Sequence, residues 1–204
     1  MTGVNRKLGI LLSGRGSNFE AIHRAIAAGT LDAEIAVVIS NREAAPGIET
    51  ARRFGLKTVV MPSQGVPREQ FDRELVRVLN DHQVGLVCLA GYMRLLSGYF
   101  VQAFPQRIVN IHPSLLPSFP GLDAQHQAFD YGVKFTGCTV HFVDEHLDNG
   151  PIILQAVVPV EEGDTYDTLS ARILAEEHKI YSKAIGIILS GAYRIEGRRV
   201  VSVS

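Results

Sequence analysis

The sequence predicts an α/β protein with a doubly wound, mainly parallel sheet of Rossmann-like form and an antiparallel edge in its C-terminal half. Through the first half of the chain, short apolar runs rich in β-branched residues alternate with segments of helical periodicity, leaving room for little except crossover helices. From Phe135 onward, two longer strand-like runs are joined by a polar turn, as in an antiparallel pair. The 204 residues, 46% hydrophobic and 20% charged, suffice for one domain with a sizeable core, expected over 1–204.

Each element has its own signal. Leu8-Gly9-Ile10-Leu11-Leu12 is a buried-strand run that stops at Ser13-Gly14-Arg15-Gly16, and Phe19, Ile22, His23 and Ile26 then recur at helical spacing. Residues 34–40 repeat the strand pattern. Pro46 suits the first turn of a helix running to about Phe54. Thr58-Val59-Val60-Met61 is a third strand, and Pro67 opens a helix striped by Phe71, Leu75, Val78 and Leu79. Residues 84–90 form a fourth strand, followed by a short helix from about Gly98 to Phe104 and a fifth strand that delivers Asn110 and His112. Residues 135–143 and 152–160 are the two strands around the turn Asp148-Asn149-Gly150-Pro151. Asp164 or Thr165 can cap a long helix that carries Leu169, Ile173, Ile180, Ile185 and Leu189 into Gly191, and a short hairpin over 193–200 ends the pattern.

Bulk properties narrow the function. A net charge of −1 gives no global field that would draw the chain to nucleic acid or to an anionic membrane, so any anion must be held locally. Cys88 and Cys138 sit in apolar runs without a C-x-x-C partner and read as buried thiols. No signal-peptide core follows Met1 and no apolar run approaches membrane-spanning length, so a cytoplasmic enzyme is expected. A homodimer is compatible with the sequence, which does not fix the oligomeric state.

The run from Asn110 to Gly121 concentrates the chemistry. Residues 107–111 favour a strand, and Pro113 holds His112 extended and interrupts further pairing. The two-residue period then puts Asn110 and His112 on one face, toward one cleft, with His112 at a solvent-facing strand end. An amide that donates a hydrogen bond beside an imidazole that moves a proton suits acyl transfer, in which an oxyanion develops while a nucleophile loses its proton. An Asn-x-His alone reads equally well as a hydrogen-bonded histidine at a strand end. Pro113, Pro117, Pro120 and Gly121 shift that balance by stiffening a loop after a strand, where α/β proteins keep their chemistry.

A second site is expected at Ser13-Gly14-Arg15-Gly16-Ser17-Asn18, between the first strand and first helix, where free backbone N–H groups and the helix dipole favour a phosphate. The glycines allow close approach, and Ser17 and Asn18 add donors that can also cap the helix. Such a turn also serves plain strand-to-helix geometry. A dinucleotide site fails because Phe19 replaces the third glycine of G-x-G-x-x-G, and Gly-Lys-Ser/Thr is absent, which excludes a P-loop.

The run His112-Pro113-Ser114-Leu115-Leu116-Pro117-Ser118-Phe119-Pro120-Gly121 resembles the signature loop of the folate-dependent formyltransferases. The 13–18 turn is similar to the phosphate loop of the phosphoribosylglycinamide formyltransferases of purine biosynthesis, and the similarity extends from about Lys7 through the long C-terminal helix. Relatives that formylate methionyl-tRNA carry an extra C-terminal domain and those that hydrolyse formyl-folate an N-terminal regulatory domain; with 204 residues, neither is expected here.

The resemblance implies that a formyl group moves from N10 of 10-formyltetrahydrofolate to the glycyl amine of glycinamide ribonucleotide, both small-molecule substrates, without a metal. It makes Asn110, His112 and Asp148 catalytic: Asn110 donates to the formyl oxygen, His112 stabilises the oxyanion or shuttles a proton, and Asp148 orients the imidazole or a water. Gly16, Ser17, Asn18 and Glu177 would meet the ribonucleotide, its phosphate lying on the N-terminal part of the chain. Arg68 would lie near the benzoylglutamate of the folate, with Met93, Arg94, Leu95, Leu96, Asn110, Val143, Asp144 and Glu145 around the pterin. Core packing for Met93, Leu95 and Leu96, and solvated helix faces for Arg68 and Glu177, are the bland alternatives. His126, His141 and His178 lack ligand spacing and read as structural. Leu174 stands where some relatives have a polar residue near the phosphate. A hydrolase of the same folate would also use His112 and Asp148, a formyltransferase acting on an amino sugar nucleotide is a further rival, and an inactive folate- or nucleotide-binding module is the alternative from another class.

Overall fold

The computed structural model describes residues 4–203, so residues 1–3 and 204 of the expected domain lie outside the described residues. The elements run β1 (Lys7–Leu12), α1 (Ser17–Ala27), β2 (Glu34–Ser40), α2 (Pro46–Arg53), β3 (Thr58–Val60), α3 (Arg68–Asp81), β4 (Leu86–Leu89), α4 (Gly98–Ala103), β5 (Ile108–His112), α5 (Ala124–Tyr131), β6 (Phe135–Phe142), β7 (Ile152–Pro159), α6 (Tyr166–Ser190), β8 (Tyr193–Glu196) and β9 (Arg199–Ser202). Among the described residues, nine strands join one sheet in the order β3-β2-β1-β4-β5-β6-β7-β9-β8. β1 to β5 are parallel, and β6 and β7 continue the sheet antiparallel, as expected. Two features were not anticipated: α5, a weakly amphipathic helix, and the docking of the terminal hairpin through β9 alongside β7 in parallel.

Strand alternation builds a core on each face. Leu8, Ile10 and Leu12 of β1 pack with Phe19 and Ile22 of α1, Ile48 of α2 and Ile173, Tyr181 and Ile185 of α6, whereas Leu11 packs with Phe71 and Leu75 of α3, Phe100 of α4 and Phe104 just beyond it. Gly9 lets α3 pack closely on β1, since a Cβ there would lie 2.6 Å from Leu79 Cδ2 and force that buried side chain to shift. Phe19, which displaces the third glycine of a dinucleotide fingerprint, is fully buried. Cys88 and Cys138 are buried free thiols. Thr165 caps α6 by accepting from the Thr168 N–H, and Gly191 ends it in the left-handed conformation; Asp164 instead pairs with Arg172.

The order β2-β1-β4 makes the β1/β4 boundary a topological switch point, because the chain leaves β1 for one side and returns through α3 on the other. Loops after β1, β4 and β5 therefore gather at the carboxyl edge, where open α/β sheets bind ligands.

Candidate active site

Hydrogen bonds lock the first two of these loops together. Ser13 N–H donates to Gly91 O at 3.0 Å, and Met93 N–H donates to Ser13 Oγ at 2.8 Å. Ser13, Asn41 and Ser63 continue as a buried chain, Asn41 Nδ2 donating to Ser63 Oγ at 3.0 Å. The loop after β5 folds back over its own strand. Its hold is Thr139 Oγ1, which donates to Ser114 O at 2.7 Å and accepts from Leu116 N–H at 3.1 Å, while Ser114 Oγ donates to Ser118 O at 2.6 Å.

Under that loop lies a cluster of amide, imidazoles and carboxylate. His112 Nε2 donates to Phe119 O at 2.9 Å; since a carbonyl only accepts, the nitrogen left for chemistry is Nδ1, which faces Asp148 Oδ2 at 3.5 Å. Asp148 Oδ2 also accepts the Gly121 N–H at 2.8 Å, so the loops after β5 and β6 meet on one oxygen. The expectation of a solvent-facing His112 is corrected: the residue is 4% exposed, because the proline-rich loop closes over the strand end. Asn110 is half-buried on the same strand and pairs across the sheet with His141, Asn110 Nδ2 lying 3.2 Å from His141 Nε2. His141 Nε2 is also 3.8 Å from Asp148 Oδ1. Burial lowers the His141 pKa, outweighing its bond to Phe142 O and the nearby Asp148 carboxylate.

The structure thus brings Asn110, His112 and Asp148 together and adds His141, which sequence reasoning set aside as structural. Only the β5–β6 register, which places His141 opposite Asn110, reveals it. His126 instead stacks on Tyr166 and pairs with Asp123, and His178 lies on α6. Among the described residues, no three His, Cys, Asp or Glu side chains gather in a way that could hold a metal.

A cleft beside the cluster is lined by Arg94, Leu95, Leu96, Asn110, Val143, Asp144, Glu145 and Asp148, together with Tyr92, His146 and Leu147. Leu95 is 51% exposed, so it is not core. Met93, also exposed, lines a neighbouring cavity with Asn41, Arg42 and Ser63, and Arg68 sits exposed at the first turn of α3 in neither cavity. The Arg94 guanidinium turns inward, donating to Ser63 O and Val66 O and lying 4.9 Å over the Phe71 ring.

At the other loop, Gly16 is the N-cap of α1 with φ 76°, and no side chain caps this helix end. The expectation that Ser17 or Asn18 caps it is corrected: Asn18 is buried and its Nδ2 donates to Glu177 Oε2 at 2.7 Å, tying α1 to α6. Gly47 abuts the loop, its N–H donating to Gly14 O at 3.1 Å. Burial pushes the Glu177 carboxyl up to about 7, partly offset by the Asn18 bond. Glu177 is 6% exposed, so the solvated-helix-face alternative fails.

Residues 6–185 match the formyl transferase family model. The chain is 45% identical over 190 residues to the trifunctional purine biosynthetic protein adenosine-3 of Gallus gallus, covering 93% of this chain but only 19% of that relative's length. It is 42% identical over 185 residues to phosphoribosylglycinamide formyltransferase of Bacillus subtilis, covering 90% of this chain and 95% of that one. The crystal structure of glycinamide ribonucleotide transformylase 1 from Symbiobacterium toebii superposes with a TM-score of 0.96 at 52% identity, over 100% of this chain and 96% of that one.

Proposed function

The chain belongs to the formyl transferase family, and from that membership we propose that it transfers the formyl group of 10-formyltetrahydrofolate to the glycyl amine of glycinamide ribonucleotide. The products are N-formylglycinamide ribonucleotide and tetrahydrofolate, a step of purine biosynthesis. The observation that carries the reading is the pairing, on one sheet edge, of the Asn110–His112–Asp148 cluster with the uncapped, glycine-rich end of α1. A transferase needs a second site for its acceptor, and an acceptor bearing a phosphate suits that helix end.

In this reading the amine attacks the formyl carbon, a new C–N bond forms, the bond to N10 breaks, and one amine proton finishes on N10. Asn110, half-buried at the cleft, donates an amide N–H to the oxygen that gains negative charge. His112 acts through Nδ1, with the Asp148 carboxylate beside it to stabilise positive charge on the ring as a proton passes. The Phe119 carbonyl holds the other ring nitrogen. Gly16, Ser17 and Asn18 take the phosphate, the side chain of Asn18 acting through its bond to Glu177. Met93, Arg94, Leu95, Leu96, Val143, Asp144 and Glu145 border the pterin, with Arg68 toward the benzoylglutamate end of the folate. The N-terminal part of a single 1–204 domain would thus carry the ribonucleotide and the C-terminal part the folate.

No described helix is long and apolar enough to cross a membrane; a cytoplasmic location, no nucleic-acid partner and room for a homodimer complete the proposal. The test is a steady-state assay with 10-formyltetrahydrofolate, with and without the ribonucleotide. Turnover that requires the ribonucleotide and falls about 10²- to 10³-fold in Asp148→Asn supports the reading. Equal turnover without the ribonucleotide would make water the acceptor and the protein a hydrolase.

A further inference from the structure

An asparagine amide can present either its nitrogen or its oxygen, and oxyanion stabilisation needs the nitrogen. We propose that His141 is a positioning residue, whose Nε2 lone pair holds the Asn110 amide with its nitrogen toward the reacting oxygen. The inference rests on the formyl-transfer reading. His141 Nδ1 lies 2.8 Å from Phe142 O, which only accepts, so Nδ1 carries the ring proton of a neutral imidazole. Nε2 is then an acceptor, 3.2 Å from Asn110 Nδ2. A flipped amide would set two acceptors against each other. With one Nδ2 proton given to His141, the second is available to the cleft.

The geometry holds while His141 stays neutral. The ring is 1% exposed between β5 and the 144–150 loop, which favours the uncharged form. Asp148 and Asp144 act against this and His112 acts with it. Protonation would turn Nε2 into a donor and admit the flipped amide.

Two measurements test the assignment. Imidazole ¹⁵N NMR of the wild-type protein, read across about pH 5.5 to 8 and independent of turnover, should show His141 Nδ1 protonated and Nε2 bare at neutral pH; a protonated Nε2 there overturns the proposal. In the second, His141→Ala should lower kcat about tenfold with the KM of both substrates within about twofold, and His141→Gln, which restores an acceptor near Nε2, should recover most of the loss. In the Asn110→Ala background, His141→Ala should cost less than about twofold. An unchanged kcat in His141→Ala, or an equal loss in both backgrounds, overturns the proposal. If His141→Ala fails to fold, His141→Gln and the NMR spectrum still decide. A wild-type protein without ribonucleotide-dependent turnover would instead defeat the formyl-transfer reading, and the spectrum would still report the tautomer.

Discussion

His112 joins the catalytic role proposed for it to a structural one. It is buried, it spends Nε2 on the Phe119 carbonyl, and it leaves Nδ1 to the 3.5 Å approach of Asp148. Removing the ring leaves a cavity under the proline-rich loop and takes from Phe119 O its 2.9 Å donor, leaving only the longer bond from Ser114 Oγ at 3.2 Å. His112→Ala is therefore expected to lose about 1–3 kcal/mol of stability as well as most of its turnover. Urea unfolding and single-turnover kinetics check the two effects separately; full stability with lost activity would mean that the loop is held by Ser114 and Thr139 alone. Phe119 and Asp148 lie at φ 52° and 48°, in the left-handed region that non-glycine residues rarely adopt. Such backbone commonly accompanies sites where loops are held in a set geometry.

At the scale of elements, the α1–α6 contact couples the loop proposed to hold the phosphate to a titratable group. Glu177 is buried against α1, and Asn18 supplies its hydrogen bond. Its carboxyl is raised from the ordinary 4.5 to about 7, so between those values the folded chain keeps a proton that the unfolded chain has released. The associated stability is fully present below 4.5 and drains away as pH rises through 7. The wild type should thus lose on the order of 3 kcal/mol across that interval relative to Glu177→Gln. Denaturant unfolding of both proteins at about pH 5 and about pH 8 reads the difference; parallel pH profiles would show that Glu177 ionises normally. Replacing Ser17 and Asn18 together by Ala should weaken ribonucleotide binding about tenfold and leave folate binding unchanged, as measured by calorimetry. An unaltered ribonucleotide affinity would remove the anion site from the α1 end.

Across the whole molecule, α6 connects one core to the active edge. Tyr181, fully buried, shares its hydroxyl proton between Leu89 O at 2.9 Å and Val109 O at 3.1 Å, bridging the end of β4 to β5 beside Asn110. Tyr181→Phe keeps the ring and strands both carbonyls' side-chain partner, which should cost about 1–2 kcal/mol in thermal or urea unfolding. A loss within error would mean that strand pairing alone satisfies those carbonyls.

Much of this was legible in the residues. Continuous apolar runs announce strands buried on both faces, Pro46 and Pro67 mark helix starts, and Thr165 and Gly191 bound the long helix, because these signals come from local backbone chemistry. The signature loop and the Gly-x-Gly turn singled out Asn110, His112 and residues 16–18 for the same reason. α5 escaped because its residues carry little amphipathic contrast. Only the tertiary structure decided which distant residues meet: that the β5–β6 register seats His141 against Asn110, that Asp148 joins two loops at His112, that His112 is covered, and that Asn18 reaches Glu177 across 159 positions of chain. Local sequence sets dihedral preferences and burial patterns, whereas register, strand order and loop closure follow from packing every buried face at once, and the chemistry of the site depends on those contacts.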